Sequence, residues 1–388
     1  MKILHFKRTM RAEDGGVVKA VLDLCACTVG PDLATTLATA DASAVPDGWQ
    51  KGSVPGIEVR LLEGPGRSAD RLGPEQLATT EALVRAHDVV HLHSMWSGAN
   101  IQVAAICRKL RVPYVLSVHG MLDDWCMAQR RLKKVLFLRT FNRGLMRHAS
   151  ALHCTAQAEL EQASKWFDPR KGVVAPLPLD LEPYRTLPDS GVALRAFDGL
   201  DPSVPIVLFL SRIHYKKGLD RLLRASALLD ARGVAHQLVI AGTGEGDYPE
   251  QMRRMADELG VMKHTRFVGF ASGEPKVALL RLADIFALPT SQENFGFVYF
   301  ESLAAGTPVL TTKGTDTWPE LEASGAGIIA DNTPESFAEY LASLLADRVA
   351  LGERGARGRS WVFEHLAPDV VRDSYLRLYA DAAGKGAR

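Results

Sequence analysis

Short apolar runs of strand-forming residues alternate along this chain with stretches of helical periodicity. Several of the runs are apolar throughout, as expected for strands that are covered on both faces. The clearest are KILHF (2–6), DVVHLH (88–93), PYVLSVH (113–119), ALHC (151–154), VPIVLFLS (204–211), HQLVIAG (236–242), DIFALP (284–289) and TPVLTT (307–312). This alternation predicts an α/β protein built on parallel sheets.

The apolar runs fall into two sets, which indicates two domains. The chain has 388 residues, whereas one hydrophobic core rarely serves more than about 250–300. Residues 182–205 are rich in Pro, Gly and Asp and show no sustained period, so they are predicted to link the domains. We expect one domain over 1–183 and a second over 204–365, with a last helix at about 366–388 that packs back on the first.

Charge and hydropathy narrow the functional classes. The formal net charge is +1, which gives no reason to expect a nucleic-acid partner. No apolar run approaches the ~18 residues of a spanning helix or the roughly 7–15 of a signal peptide. The five cysteines form no C-x-x-C pair, which suits reduced thiols. A cytoplasmic protein is expected.

The segment SQENFGFVYFESLAAGTPVLTT (291–312) carries two glutamates, Glu293 and Glu301, with seven residues between them. We expect a helix from Phe295 or Gly296, with Glu293 in the preceding loop and Glu301 about two turns along. Ligands lie beyond the carboxyl ends of strands in open parallel sheets, and helix starts offer free N–H groups. The spacing alone describes a solvated helix with two exposed acids equally well.

Two cations follow the run VLFLS, Arg212 at its end and Lys217, which is predicted to open the next helix beside Gly218. Such a pair can bind a diphosphate through charge-assisted hydrogen bonds, or it can be a strand-end arginine and a solvated lysine. The pair Gly15 and Gly16 follows the first strand, but most glycine pairs are turns. The sequence GTGEG (242–246) lacks the dinucleotide spacing G-x-G-x-x-G, so a strand–helix turn is predicted.

Three histidines lie on or after predicted strands. His91 and His93 are two apart and share a face, which can indicate a metal, but no third ligand is evident nearby. His119 ends the run PYVLSVH and precedes Gly120. A lone histidine is more often structural than functional, so the sequence leaves both interpretations open.

No Asp or Glu occurs between Trp125 and Ala158, while the same span carries seven cations, Arg130, Arg131, Lys133, Lys134, Arg139, Arg143 and Arg147. The last three are spaced by four, which predicts a stripe on one helix with Leu138, Phe141, Leu145 and Met146 on its apolar side. Basic amphipathic segments bind anionic lipid surfaces. The alternative is a solvated helix face over a core.

The segment 291–312, with its two glutamates, an Asn-Phe-Gly-like centre and a following A-x-G-x-P-V, resembles the donor-sugar signature of the retaining glycosyltransferases of the GT-B fold, in the large fourth family. The same glycosyltransferases carry an Arg and a Lys like Arg212 and Lys217, and here both motifs occur in the order expected for that family. The resemblance covers nearly the whole chain and is most specific over 206–312. It implies two Rossmann-like domains with a cleft between them, the second holding a nucleotide sugar and the first an acceptor.

The resemblance also assigns roles to single residues. It implies that Glu293 contacts the donor sugar and Glu301 the ribose hydroxyls, and that Arg212 and Lys217 act on the diphosphate. His119 would face the reacting sugar. The remaining assignments are backbone contacts to the sugar from Asn294, Phe295 and Gly296, donor-phosphate contacts from Gly15 and Gly16, and acceptor or membrane contacts from His93, Arg130, Lys133, Lys134, Arg139, Arg143 and Arg147.

The reaction that follows from the resemblance is a retaining, metal-independent hexosyl transfer by a front-face mechanism, without a cofactor. The donor would be a UDP- or GDP-sugar, and the acceptor a glycan or lipid-linked molecule of surface polysaccharide synthesis, at the inner face of the membrane. Three alternatives stay open. They are a sugar-nucleotide epimerase of the same fold, a non-catalytic GT-B subunit, and a nicotinamide dehydrogenase, although the fingerprint of the last is missing.

Overall fold

The computed structural model describes residues 1–30, 33–140 and 142–386. The chain divides into two compact units: unit 1 comprises Met1–Pro178 and Pro368–Arg388, and unit 2 comprises Leu179–Ala367. In each unit a parallel sheet lies among helices. Within the described part of the chain, no helix is both long enough and apolar enough to cross a membrane.

Unit 1 contains a seven-stranded parallel sheet in the order β3-β2-β1-β4-β5-β6-β7. Chain order reverses beside β1, so the first strand lies next to the fourth, and His5 pairs with His91 in the register. The strands are β1 (Lys2–Phe6), β2 (Ala34–Thr39), β3 (Ile57–Leu61), β4 (Val89–His93), β5 (Tyr114–Ser117), β6 (Ala151–Cys154) and β7 (Gly172–Val174).

Helices cover both faces of this sheet. They are α1 (Gly16–Cys27), α2 (Asp47–Gln50), α3 (Pro74–Arg85), α4 (Gly98–Leu110), α5 (Asp124–Ala128), α6 (Arg131–Thr140), α7 (Arg143–His148) and α8 (Gln157–Ala163), with short 3-10 turns at Ala12–Asp14 and Pro169–Lys171. Side-chain caps define some of the starts. For example, Ser97 Oγ accepts from Asn100 N at 3.2 Å at the start of α4.

Unit 2 contains a six-stranded parallel sheet in the order β10-β9-β8-β11-β12-β13. Its strands are β8 (Ile206–Leu210), β9 (Gln237–Ala241), β10 (Thr265–Gly269), β11 (Ile285–Ala287), β12 (Val309–Thr312) and β13 (Gly327–Ala330). The helices are α9 (Glu182–Arg185), α10 (Gly191–Ala196), α11 (Leu219–Ala231), α12 (Tyr248–Glu258), α13 (Gly273–Leu282), α14 (Phe297–Ala304), α15 (Trp318–Ala323), α16 (Pro334–Leu345) and α17 (Arg348–His365).

The last helix, α18 (Pro368–Gly386), belongs to the core of unit 1. Its Val371, Tyr375 and Tyr379 are buried in a cluster with Ile3 and Val89 from the centre of the sheet. Burial of large side chains against central strands is the main source of stability for such a helix. A second cluster on the sheet gathers Leu4, Leu92 and Leu116 with residues of α3, α4 and α7.

All the strands predicted from apolar runs are present, and the parallel α/β class is confirmed. The prediction for residues 182–205 was wrong. That segment contains α9 and α10 and lies within unit 2. The buried side chains Tyr184, Ala193 and Phe197 anchor it there. The two helices have only four and six residues, so they contain too few apolar residues to show a helical period in the sequence.

Candidate functional site

The two motifs of unit 2 meet at the carboxyl ends of neighbouring strands. β8 pairs with β11, and each strand leads into one motif. Lys217 Nζ donates a hydrogen bond to Glu293 Oε2, although the residues are 76 positions apart. The lysine side chain is 9% exposed and the glutamate 25%. A cation and a carboxylate are therefore held together at the sheet edge where ligands of α/β proteins bind.

The prediction that Lys217 opens a helix was wrong. Lys217 ends a 3-10 turn, Tyr215–Lys217, and α11 begins two residues later, after Gly218. Arg221 extends from α11 to Pro289 O at 2.7 Å and Ser291 Oγ at 3.0 Å. The two loops are thus connected by an arginine as well as by the Lys217–Glu293 pair.

The loop from Glu293 to Gly296 is fixed by the segment that follows β12. Glu293 N donates to Gly314 O at 2.8 Å, and Asn294 Nδ2 donates to Asp316 Oδ2 at 3.0 Å. Gly296 has φ 65° and precedes α14. A Cβ at this position would collide with the ring of Tyr299, so only glycine fits. The helix begins at Phe297, one residue after Gly296.

Glu301 lies in the second turn of α14 and is buried. Lys276, which begins the second turn of α13, donates to Glu301 Oε2 at 2.6 Å. The pair leaves one carboxylate oxygen without a described lysine contact. Lys276 was not predicted as a site residue, because its position in an ordinary amphipathic helix carries no local signal.

Arg212 lines a cavity of about 620 Å³ within unit 2. The other lining residues are Ile213, His214, Tyr215, Thr243, Gly244, Glu245, Gly246 and Tyr248. The GTGEG loop therefore does more than turn the chain, because it forms a wall of the cavity beside Arg212. A Cβ on Gly242, which has φ 138°, would collide with Ser211 O, so this glycine allows the close approach.

In unit 1, Gly15 and Gly16 lie at the start of α1, beyond the end of β1. Gly15 has φ 66° and Gly16 is the first helical residue. Lys7 holds this loop, since its Nζ donates to Asp14 Oδ2 at 2.7 Å and to Thr9 O at 2.5 Å. The first free N–H groups of α1 are thereby presented at the carboxyl edge of the sheet.

A buried array of histidines occupies the middle of unit 1. His5 Nδ1 lies 3.1 Å from His93 Nε2, and His93 Nδ1 lies 3.2 Å from His119 Nε2. The rings of His91 and His93 stack with centroids 4.3 Å apart, as their two-residue spacing predicts. His93 is buried, and both of its ring nitrogens have hydrogen-bond partners. It would therefore act on a bound sugar acceptor only through His119.

A second chain of hydrogen bonds runs beside the first. Tyr379 of α18 lies 2.8 Å from His91 Nδ1, and His91 Nε2 lies 2.7 Å from Ser117 Oγ. Ser117 Oγ is 2.7 Å from His153 Nδ1, and His153 Nε2 is 2.8 Å from Ala175 O. The Ala175 carbonyl can only accept a hydrogen bond, so His153 carries its proton on Nε2. Each group in this series of hydrogen bonds then donates to the next: Tyr379 to His91, His91 to Ser117, Ser117 to His153 and His153 to Ala175.

The series of hydrogen bonds from His5 through His93 to His119 begins at His5, whose Nε2 is buried and has no hydrogen-bond partner in the described structure. A buried N–H without an acceptor is rarer than an acceptor without a donor. The favoured assignment therefore leaves His5 Nε2 unprotonated. His5 then donates to His93 and His93 to His119, so His119 carries its proton on Nδ1.

Burial keeps these imidazoles neutral. It lowers the pKa of His5 and of His119 to about 3 and that of His153 to about 4. Burial, with the neighbouring histidines, also lowers the pKa of His91 and His93 well below the ordinary value. At neutral pH, His119 is therefore a hydrogen-bonding group and not a cation.

The structure supplies the third histidine that the sequence did not reveal. One nitrogen from each of His5, His91 and His93 lies within 4.8 Å of the others. However, the rings of His5 and His93 stack at an interplanar angle of 13° and are joined by a hydrogen bond. Metal-binding imidazoles direct their nitrogens at one point, so this arrangement fits a hydrogen-bonded array better than a metal site.

His119 lies in an unusual turn that a buried acid stabilises. Its φ is 52°, a conformation that residues other than glycine seldom adopt. Glu159, fully buried, accepts from Gly120 N at 2.5 Å and from Thr155 N and Oγ1 at 2.5 and 2.8 Å. Glu159 was not predicted as a site residue from the sequence. The available signal was that it is the first acid after a long segment without any.

The basic segment does not form one striped helix. It forms α6 and α7, with a bend at Asn142, and Phe141 lies outside the described residues. Leu138, Leu145 and Met146 are buried as predicted. Lys134 is occupied internally, since its Nζ donates to Cys126 O at 2.5 Å and lies over the Trp96 ring. The other six cations of the segment are exposed: Arg130, Arg131, Lys133, Arg139, Arg143 and Arg147.

Comparison with known families identifies both units. Residues 193–361 match the model described as glycosyl transferases group 1. Residues 15–179 match a glycosyl transferase 4-like domain. The two matches coincide with most of unit 2 and of the N-terminal part of unit 1.

Curated relatives and solved structures agree with these matches. The chain is 31% identical over 356 residues to a D-inositol 3-phosphate glycosyltransferase of Nocardia farcinica, covering 84% of this chain and 77% of that protein. It is 29% identical over 367 residues to the Segniliparus rotundus protein of the same name, covering 90% and 80%. The structure of Anabaena HepE in complex with UDP superposes with a TM-score of 0.79 at 18% identity, covering 98% of this chain and 100% of that one.

Proposed function

The chain belongs to the group 1 glycosyltransferases of the GT-B fold, and from this membership we propose that it moves a hexose from a nucleoside-diphosphate sugar to a glycan or lipid-linked acceptor. The observation that carries the proposal is the contact between Lys217 and Glu293. It joins the loop proposed to hold the diphosphate to the loop proposed to hold the sugar. A donor bound there would place its leaving group and its reacting carbon beside one charged pair.

Unit 2 is the proposed donor site. Arg212 and Lys217 would bind the diphosphate and stabilise the charge that develops on it as the sugar leaves. Glu301, held by Lys276, would accept hydrogen bonds from the ribose hydroxyls. UDP is our first choice of nucleotide, with GDP second, because Anabaena HepE was crystallised with UDP and with UDP-glucose.

We propose that the transfer retains the anomeric configuration and needs no metal. A double displacement requires a free carboxylate beside the reacting carbon. Glu293 is engaged by Lys217 and Glu301 by Lys276, which favours a front-face transfer in which a phosphate oxygen of the leaving group deprotonates the acceptor. The two cations of the donor loop would supply the charge that a metal supplies in other transferases.

The acceptor class divides into two candidates. Our first proposal is a glycan or a lipid-linked molecule of surface polysaccharide synthesis. The second is an inositol phosphate, which the names of the relatives from Nocardia farcinica and Segniliparus rotundus favour. Gly15 and Gly16 would contact the donor phosphate and His119 would face the reacting sugar, so either acceptor would bind at the carboxyl edge of the unit 1 sheet beside them.

One experiment tests donor, acceptor and stereochemistry together. Purified protein is incubated with UDP-, GDP-, ADP- or dTDP-hexoses and with either D-inositol 3-phosphate or a bacterial lipid extract, with EDTA present throughout. We expect product from one nucleotide class and one acceptor, with the anomeric configuration of the donor by proton NMR. Product that forms only after a divalent cation is restored would refute metal independence, and an inverted product would refute retention.

We also propose that α6 rests on an anionic membrane surface. Leu132 is 90% exposed and Leu136 is 62% exposed, four residues apart on the same helix. Arg131 and Lys133 flank them, and such a mixture of exposed leucine and cations is typical of interfacial helices. Changing Leu132 and Leu136 to Ser should reduce sedimentation with vesicles containing anionic lipid. Failure of the wild-type protein to sediment with these vesicles at low salt would contradict the proposal.

A further inference from the structure

Unit 1 contains a large cavity that the proposed donor site does not use, although three of its lining arginines are among the residues expected to contact an acceptor or a membrane. Its volume is about 720 Å³, within the range of pockets for small molecules. Apolar side chains form part of the wall: Val135, Leu138, Met146, Trp166 and Phe167. Charged side chains form the rest: Arg139, Arg143, Arg147, Lys165, Lys171 and Asp168. The cavity therefore combines an apolar lining with five cations and one carboxylate.

The carboxylate and the lysines already have partners. Asp168 pairs with Arg170 at 2.8 Å, and Lys165 pairs with Asp124 at 2.6 Å. Lys171 Nζ donates to Arg147 O and Ala149 O at 2.6 and 2.8 Å, at the end of α7. These contacts fix the wall of the cavity, and the first of them neutralises its single acid.

The three arginines differ from the lysines. Among the described residues, the side chains of Arg139, Arg143 and Arg147 have no ion pair and no hydrogen bond to protein. Arg139 lies in the last turn of α6 and Arg143 begins α7, and both side chains line the same cavity. Three unpaired guanidinium groups beside an apolar wall are a strong attractor for an anion.

The cavity lies away from the reaction site. Arg147 lies four residues before β6 and Lys171 immediately before β7, at the amino ends of these strands. His119 follows β5 at its carboxyl end, and Gly15 follows β1. The cavity and the proposed acceptor face are therefore on opposite edges of the same sheet, and a ligand in the cavity is not the hydroxyl that receives the sugar.

We propose that this cavity is a binding site for an anionic amphiphile, a phosphate ester that carries a hydrocarbon chain. The arginines bind the phosphate, since guanidinium groups match its oxygens in pairs. The chain packs against Leu138, Met146 and Phe167, because apolar surface is stabilised when it leaves water. The site does not depend on the donor or acceptor assigned above.

Dodecyl phosphate below its micellar concentration is the probe, and calorimetry is the measurement. Wild-type protein should bind it, and the double change Arg143→Gln with Arg147→Gln should weaken binding by about 100-fold, since each removes one charge-assisted contact. The matched control is Lys51→Gln with Arg67→Gln, which removes two exposed cations of unit 1 that lie outside the cavity. It should leave the affinity within about twofold.

Several results would overturn the proposal. They are failure of wild type to bind dodecyl phosphate, an equal loss in the control variant, and equal affinity for inorganic phosphate, which would show an anion site without an apolar part. UDP binding, measured in parallel, should be unchanged in both variants, so failure here is distinguishable from failure of the proposed transferase activity. Displacement of the probe by anionic vesicles would identify a bilayer lipid as the source, and absence of displacement a free lipid phosphate.

Discussion

His93 Nδ1 lies 3.2 Å from His119 Nε2, so a fully buried histidine of β4 determines which nitrogen of His119 carries a proton. His93 is held in turn by His5 on β1, at 3.1 Å. The residue that we propose to face the reacting sugar is therefore oriented by two buried side chains, His93 and His5. Such support is usual where a catalytic group needs one tautomer and one orientation.

His93→Leu should lower kcat by about tenfold while leaving KM for the donor nearly unchanged, because loss of the hydrogen bond frees the tautomer of His119, a cost of about 1 kcal/mol. His93→Gln keeps a donor and an acceptor, so it should recover part of the loss. Nitrogen-15 NMR of labelled histidines reads the tautomer directly. A wild-type His119 protonated on Nε2 would disprove the assignment.

Removing the cations of the donor loop should damage turnover more than folding. Arg212→Ala and Lys217→Ala each delete a charge proposed to act on the leaving diphosphate, worth roughly 2–4 kcal/mol in the transition state, or about 10²–10³ in rate. Circular dichroism should stay native, and Lys216→Ala, one residue away, is the matched control. Near wild-type turnover in both variants would remove the diphosphate role.

The two glutamates of unit 2 should fail in different ways. Glu293→Gln releases Lys217 from its carboxylate, so we expect lower turnover together with equal or tighter binding of bare UDP. Glu301→Gln should weaken UDP by about tenfold, since it weakens the proposed ribose contact and the bond to Lys276. Calorimetry with UDP separates the two. Equal losses of UDP affinity would refute this division.

The stability of unit 1 should begin to fall once the pH drops below about 6.5. Unfolded histidine has a pKa near 6.5, whereas burial lowers the pKa of His5 and His119 to about 3 and of His153 to about 4. Below pH 6.5 the unfolded state therefore binds more protons, and stability is lost as the pH falls towards 4. Each such histidine contributes about 1.4 kcal/mol per pH unit in this window.

Urea unfolding at pH 7.5, 6.5 and 5.5 measures this effect. The midpoint should fall steeply between the last two values, and His93→Leu, which removes one titrating group, should show a shallower pH dependence from a lower starting stability. A midpoint that is constant from pH 7.5 to 5.5 would contradict the effect of burial on these pKa values.

Sequence patterns predicted the central strands of both units because those strands are buried on both faces and read as apolar runs. They missed β2, β3, β7, β10 and β13. In β2, ATTLAT, threonine supplies the strand preference without apolar character, and the other four are short or lie at or beside the edges of the sheets, where partly exposed residues break the run.

The motif residues Arg212, Lys217, Glu293 and Glu301 could be selected from the sequence because each follows a predicted strand or lies on the next helix. Which of them touch was decided by the fold. Glu293 meets Lys217 because β8 and β11 are neighbours, and Glu301 meets Lys276 because α13 lies against α14. Likewise His5 joins His91 and His93 only because β1 pairs with β4. Local sequence determines strands and helices through periodicity, whereas contacts between distant residues depend on strand order, which tertiary packing alone establishes.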